Sequence, residues 1–209
     1  MTAPDPSSAR PAASPVSLLA LTGFMGAGKS TVGRLLAARS GWQFQDADSL
    51  IETETGSTIA ELFSRHGEPW FRALEHQTIR RLALAAQQQS GSAATAPAPI
   101  PQVLALGGGA LEDPQTRELL LHSPAVRLIH LEVSLPEAIR RCTADSVHER
   151  PVLADRSRLA ARYELRLALY RQAHATIPVD ALSPDQVVVH ILQWLESNSP
   201  TGSASHQHP

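Results

Sequence analysis

Eight consecutive residues, Gly23-Phe24-Met25-Gly26-Ala27-Gly28-Lys29-Ser30, match the pattern G-x-x-x-x-G-K-[ST]. Glycines at this spacing let successive backbone amides turn inward onto phosphate oxygens. A helix that starts directly after them adds unpaired N–H groups and the positive end of a dipole. Lys29 suits the β- and γ-phosphates as a compact point charge, and the Ser30 hydroxyl suits Mg²⁺. Gly26, Ala27, Gly28 and Thr31 complete the expected nucleotide loop. Lysine plus arginine total 18, and lysine occurs once, at Lys29, against 17 arginines. The single lysine thus falls on the position where a planar guanidinium does not substitute simply.

Further residues could supply an acceptor and a metal site. In Asp46-Ala47-Asp48 two carboxylates at i and i+2 can divide labour, one holding metal-bound water and the other taking a hydroxyl proton. The same spacing also suits a helix cap at Asp48 or Ser49. Arg72 and Glu75 stand at i, i+3, so the acid can orient the guanidinium, as it would in an ordinary solvated pair. Gly107-Gly108-Gly109 permits close approach of backbone to a ligand, or marks a flexible turn. Arg150, in Glu149-Arg150-Pro151, lies in a polar stretch where a lid or a plain surface loop fits. Arg171 falls late in a long helical segment.

These residues need a frame that brings them together. Short apolar runs at 16–22, 42–45, 103–106, 126–132 and 176–179 read as strands, and helical segments at 29–38, 58–64, 72–86, 113–121, 136–142 and 157–173 separate them. Leu74, Thr78, Leu82 and Ala85 recur at helical spacing on one of these. Ser183-Pro184-Asp185 caps a last helix with the face Val188, Ile191, Leu192 and Leu195. Alternating strands and helices imply a parallel sheet covered on both faces, with ligands beyond the carboxyl ends of the strands. Three such ends carry the chemistry above.

A chain of 209 residues fits one such domain, residues 16–197. Residues 1–15 and 198–209 are Ser/Pro/Gly-rich and read as disordered tails, 87–102 as a low-complexity insert before a strand, and 143–156 as a loop in lid position. The net charge of −2 offers no global attraction for nucleic acid or anionic lipid. The lone Cys142 forbids an intrachain disulfide and reads as packed. No metal-ligand spacing appears among the histidines, and His206 and His208 lie in the tail. These features fit a cytoplasmic monomer acting on small molecules, with no nucleic-acid or membrane partner.

Taken together, G-F-M-G-A-G-K-S-T-V-G-R-L-L-A, D-A-D-x-x-I-E, G-x-x-I-x-E-L-F-x-x-x-G-E-x-x-F-R-x-x-E, L-G-G-G-A, E-R-P-V-L and Y-R at 170–171 resemble the shikimate kinase family over about Leu18 to Leu195. The resemblance implies the three-layer α/β/α P-loop kinase fold, with a five-stranded parallel sheet in 2-3-1-4-5 order. It implies ATP-dependent phosphorylation of the shikimate 3-hydroxyl with Mg²⁺. In that reading Asp48 binds the acceptor hydroxyls and acts as, or near, the base, and Asp46 and Ser30 hold the metal. Arg72 and Arg171 clamp the acceptor carboxylate, with Glu75 fixing the site and Gly107, Gly108 and Gly109 lining it. Arg150 swings in on the lid, and Arg141 lies along the adenine. A gluconate-type sugar-acid kinase and a non-catalytic ligand-sensing module are the alternatives.

Overall fold

In the computed structural model, residues 16–90, 100–144 and 156–198 are described. Five strands, β1 (Leu18–Thr22), β2 (Gln43–Asp46), β3 (Gln102–Ala105), β4 (Val126–Glu132) and β5 (Ala175–Pro178), form one sheet in the order β2-β3-β1-β4-β5. Every pairing is parallel. All five β1 residues are buried, as a central strand covered on both faces requires. The edge strand β2 is half-exposed and correspondingly polar. In register, Asp46 sits opposite Ala105, Leu21 opposite Ala105 from the other side, and Thr22 opposite His130. That alignment puts the ends of four strands along one edge of the sheet.

Among the described residues, eight α-helices surround it: α1 (Lys29–Ser40), α2 (Ala47–Thr55), α3 (Ile59–His66), α4 (Glu68–Ser90), α5 (Pro114–His122), α6 (Leu135–Ala144), α7 (Arg156–Tyr170) and α8 (Pro184–Ser197). Most are stopped and started by local chemistry. Thr58 and Ser183 close capping boxes with Glu61 and Gln186, and the Asp113 side chain accepts from the Thr116 N–H at the head of α5. Gly41 and Gly56 end α1 and α2 in the left-handed conformation.

Three expectations are corrected. Residues 47–55 form a helix the apolar pattern does not announce, because Ala47 and Ile51 are its only buried residues. α4 starts at Glu68 rather than Arg72 and continues to Ser90, since alanine and glutamine support helix as well as loop. Its buried face is Phe71, Glu75, Thr78, Ile79, Ala83 and Ala86, rotated from the one the leucines suggest. Residues 91–99 of the insert, 145–155 of the lid stretch, and 1–15 and 199–209 of the tails lie outside the described residues. No helix among the described residues is long and apolar enough to cross a membrane.

Burial is split. One large cluster joins the sheet to α1, α5, α7 and α8. A separate small one, Ile51, Leu62 and Phe71 with Ile59, Phe63 and Leu74 packed on it, knits α2, α3 and the start of α4.

Candidate active site

The phosphate loop is built by backbone. Gly26 has φ +75°, and a Cβ there would come 3.0 Å from the Ala138 carbonyl oxygen, so glycine is required on both conformational and steric grounds. Gly28 heads α1 with no side-chain cap and no acid in the first turn. By contrast α2, α3, α5 and α8 are each closed by a side chain. The N–H groups of α1 are thereby left for an anion. Lys29 arches over the loop, and its Nζ donates to the carbonyls of Gly23 at 2.8 Å and Phe24 at 3.3 Å.

The metal-side residues meet. Ser30 Oγ donates to Asp46 Oδ2 at 2.6 Å, while Asp46 Oδ1 accepts from the Asp48 and Ser49 N–H groups. Asp46, rather than Asp48 or Ser49, is therefore the cap of α2, and its other oxygen remains on the phosphate side. A hydroxyl and a carboxylate oxygen beside a phosphate loop match Mg²⁺, which takes few protein ligands and fills its shell with water and phosphate. No cluster of three or more His, Cys, Asp or Glu suited to a metal occurs among the described residues.

Capping by Asp46 places Asp48 in the first turn of α2, facing the same cavity as Lys29 and Ser30. Burial, and next the charge of Asp46, push the Asp48 carboxyl above its usual range, with Lys29 opposing them. Glu75 is 1% exposed, and burial raises its carboxyl too, against the pull of Arg72. Arg72 Nη1 donates to Glu75 Oε2 at 2.7 Å and Nη2 to Glu68 Oε1 at 3.0 Å. The turn Leu106–Gly109 closes over these groups. A Cβ on Gly107 would lie 2.6 Å from Glu75 Oε1 and 2.9 Å from Asp48 Oδ1, and one on Gly109 would strike the Arg72 guanidinium. Glycine is needed here for proximity. Glu75 Oε1 and Arg72 Nε are buried with no hydrogen-bond partner among the described residues, which marks a polar surface awaiting a ligand or water.

Two arginines from the sequence reading go different ways. Arg141 is brought beside the phosphate loop. Its Nη1 donates to Gly26 O at 3.2 Å, its Nη2 to Val179 O at 2.8 Å and its Nε to Glu137 at 2.7 Å, which fixes the guanidinium between the phosphate loop and the end of β5. Arg171 is not brought to the site. It lies just beyond α7, 62% exposed, paired with Glu132 at 2.9 Å. Arg166 lines the cavity instead. It is 11% exposed, donates from Nε to Glu112, and would approach a Gly108 Cβ to 3.3 Å. Sequence reading missed it, although Tyr163, Arg166 and Tyr170 form an i, i+3, i+7 stripe that signals one inward face. Arg150 lies outside the described residues.

A single cavity of about 750 Å³ runs across these parts. At one end Val179, Leu182, Pro184 and Val187 offer an apolar wall beside Arg141 and the buried Cys142. In the middle stand Gly26 to Thr31 and Asp46, and at the other end Asp48, Gly108 and Arg166.

The family model for shikimate kinase covers residues 25–196. The chain belongs to the shikimate kinase family. It is 39% identical over 191 residues to a shikimate kinase of Mycobacterium avium, covering 88% of this chain and 97% of that protein. It is 38% identical over 179 residues to one of Geobacter metallireducens, covering 84% and 90%. Among solved structures, a shikimate kinase from Acinetobacter baumannii in complex with shikimate superposes with a TM-score of 0.73 at 32% identity, covering 88% of this chain and 94% of that one. The expected five-stranded order and P-loop kinase fold stand.

Proposed function

We propose that this chain transfers the γ-phosphoryl group of ATP to the 3-hydroxyl of shikimate, giving ADP and shikimate 3-phosphate for the route to chorismate and the aromatic amino acids. The observation that carries the reading is the shared cavity. The phosphate loop, Asp48, Gly108 and Arg166 line one space. The likenesses to shikimate kinases favour this over a gluconate-type kinase or a non-catalytic sensing module. The reading includes a cytoplasmic monomer with two small-molecule substrates and neither nucleic acid nor membrane as partner.

Each side chain has a task in it. Lys29 and the amides of Gly26, Ala27, Gly28, Ser30 and Thr31 hold the β- and γ-phosphates. Ser30 and Asp46 would hold Mg²⁺, which when bound neutralises phosphate charge and helps align the nucleotide. Arg141 covers the adenine. Arg72, oriented by Glu75, binds the acceptor carboxylate jointly with Arg166, and Arg166 replaces Arg171 in that role. A planar carboxylate between two guanidinium groups is recognised by charge and by paired N–H donors. Gly107, Gly108 and Gly109 admit the ring to close contact. Asp48 accepts the proton of the attacking hydroxyl, and its raised affinity for protons suits a base working near neutral pH. Arg150 is assigned to the transferred phosphoryl group from the lid stretch. Alignment and charge neutralisation are what phosphoryl transfer chiefly requires.

A coupled ADP-release assay with shikimate, quinate and gluconate as acceptors tests the reading. Shikimate-dependent release well above the other two is expected. Release that is independent of acceptor, or greatest with gluconate, would overturn it.

A further inference from the structure

α7 touches the turn after β3 through two side chains one helical turn apart. Arg166 is tied to Glu112, and the Tyr170 hydroxyl donates to the Gly108 carbonyl. Tyr170 is 2% exposed, and its ring lies 5.2 Å from the ring of the buried His130. A tyrosine so enclosed has little freedom to move its hydroxyl, so the carbonyl it holds is fixed as well. The Gly108–Gly109 peptide is trans. Its plane is rigid, and its C=O and N–H point in opposite directions. Holding the carbonyl toward α7 therefore turns the Gly109 N–H away from α7.

Two other carbonyls of this turn are used internally, while the N–H groups of Gly107 and Gly108 have no hydrogen-bond partner among the described residues. The Ala110 N–H donates to Gly107 O at 3.1 Å, and the Glu112 N–H donates to Gly109 O at 2.9 Å. The Gly109 N–H has no hydrogen-bond partner among the described residues, although Gly109 is buried. Its α-carbon lies against the Arg72 guanidinium, so closely that a Cβ would collide with it. A buried amide donor beside a guanidinium is half of an anion site, and a buried donor left open calls for a partner.

We infer that Tyr170 is a positioning residue for the acceptor. Its hydroxyl sets the Gly108–Gly109 peptide so that the Gly109 N–H joins the two arginines in receiving the acceptor's carboxylate. The inference rests on the acceptor reading given under the proposed function.

Tyr170→Phe removes the hydroxyl and keeps the ring against His130. The expected result is a rise of about tenfold in acceptor KM, the scale of one charge-assisted hydrogen bond. ATP KM and kcat should stay within about twofold. In the unaltered chain labelled with ¹⁵N-glycine, shikimate should move the Gly109 amide resonance strongly downfield, and in Tyr170→Phe that shift should shrink. A lower melting temperature with unchanged acceptor KM and an undiminished amide shift would make Tyr170 merely structural and overturn the inference. Absence of shikimate-dependent turnover in the unaltered chain would sink the acceptor reading itself, so the two failures are separable.

Discussion

The nucleotide half and the acceptor half of the site are built by different means. The phosphate-binding part of the proposed nucleotide half is one contiguous stretch, Gly23–Thr31, laid from β1 into α1 and seated on the main core. Its donors are chiefly backbone amides, held by glycine geometry and helix packing. The acceptor half is gathered from α2, α4, the turn after β3 and α7. α2 and the start of α4 rest on a satellite core of only three fully buried side chains. Its working groups are side-chain charges held by one another, as Arg72 is by Glu75 and Arg166 by Glu112. Backbone placement resists single substitutions, while a network of charges fails when any member shifts. Mutations on the acceptor side should therefore damage catalysis while nucleotide binding survives.

The largest expected effect is Asp48→Asn. It should cut kcat by about 10³-fold, within the usual range for losing a general base, and leave ATP affinity nearly unchanged. Stopped-flow binding of a fluorescent ATP analogue, set beside the turnover assay, checks both parts. Near-normal turnover would remove Asp48 from the proton transfer.

Gly109→Ala comes next. The added Cβ must displace the Arg72 guanidinium, which is held by Glu75 and Glu68 and cannot yield freely. A misplacement on the order of 1 Å costs about 10²-fold, expected here in kcat/KM for the acceptor. If ATP KM rose equally, the two halves would not be separable as described.

The paired substitutions Arg166→Ala and Arg171→Ala sharpen the contrast further. Arg166→Ala should raise acceptor KM by about 10- to 100-fold, the range for a hydrogen bond to a charged group. Arg171→Ala should stay within about twofold, since an exposed ion pair contributes little. Steady-state kinetics on both variants decides which arginine serves, and equal effects would contradict the assignment.

The smallest effect concerns stability. Burial raises the Asp48 carboxyl above its unfolded value, so the folded state binds the proton more tightly than the unfolded one. That contribution is complete at low pH and is lost as pH rises through the folded pKa, leaving the ionised group destabilising at neutrality. Asp48→Asn should therefore raise the melting temperature at pH 7 by about 2 °C, with the gain vanishing below pH 4. A fall in melting temperature at pH 7 would mean that Lys29 and Arg72 outweigh the burial. In the unaltered enzyme, the same raised carboxyl should make kcat/KM decline on the acid side at a pH above the ordinary aspartate range.

How much could be read from sequence follows the same division. The phosphate loop was legible because its residues are contiguous and its flanks are a strand and a helix. The strand order followed from the resemblance, and the residues proposed for the acceptor, Asp48, Arg72, Glu75 and the three glycines, came with it. Arg166 was not legible from the same signal. Arg166 and Arg171 are five positions apart, about 140° around a helix, so only one can face the site, and motif proximity gives no rotation. The inward stripe of Tyr163, Arg166 and Tyr170 contains that information, but only once its apolar and polar members are read together. α2 was missed because so short a helix, with two buried residues, leaves almost no periodic trace.

The most direct test of the account is ³¹P NMR of the purified chain with ATP, Mg²⁺ and shikimate. The account predicts loss of the ATP γ-resonance, matched by ADP and by one phosphomonoester resonance coupled to the ring proton at carbon 3. The γ-resonance converting to inorganic phosphate, or a phosphomonoester at another hydroxyl, would contradict it.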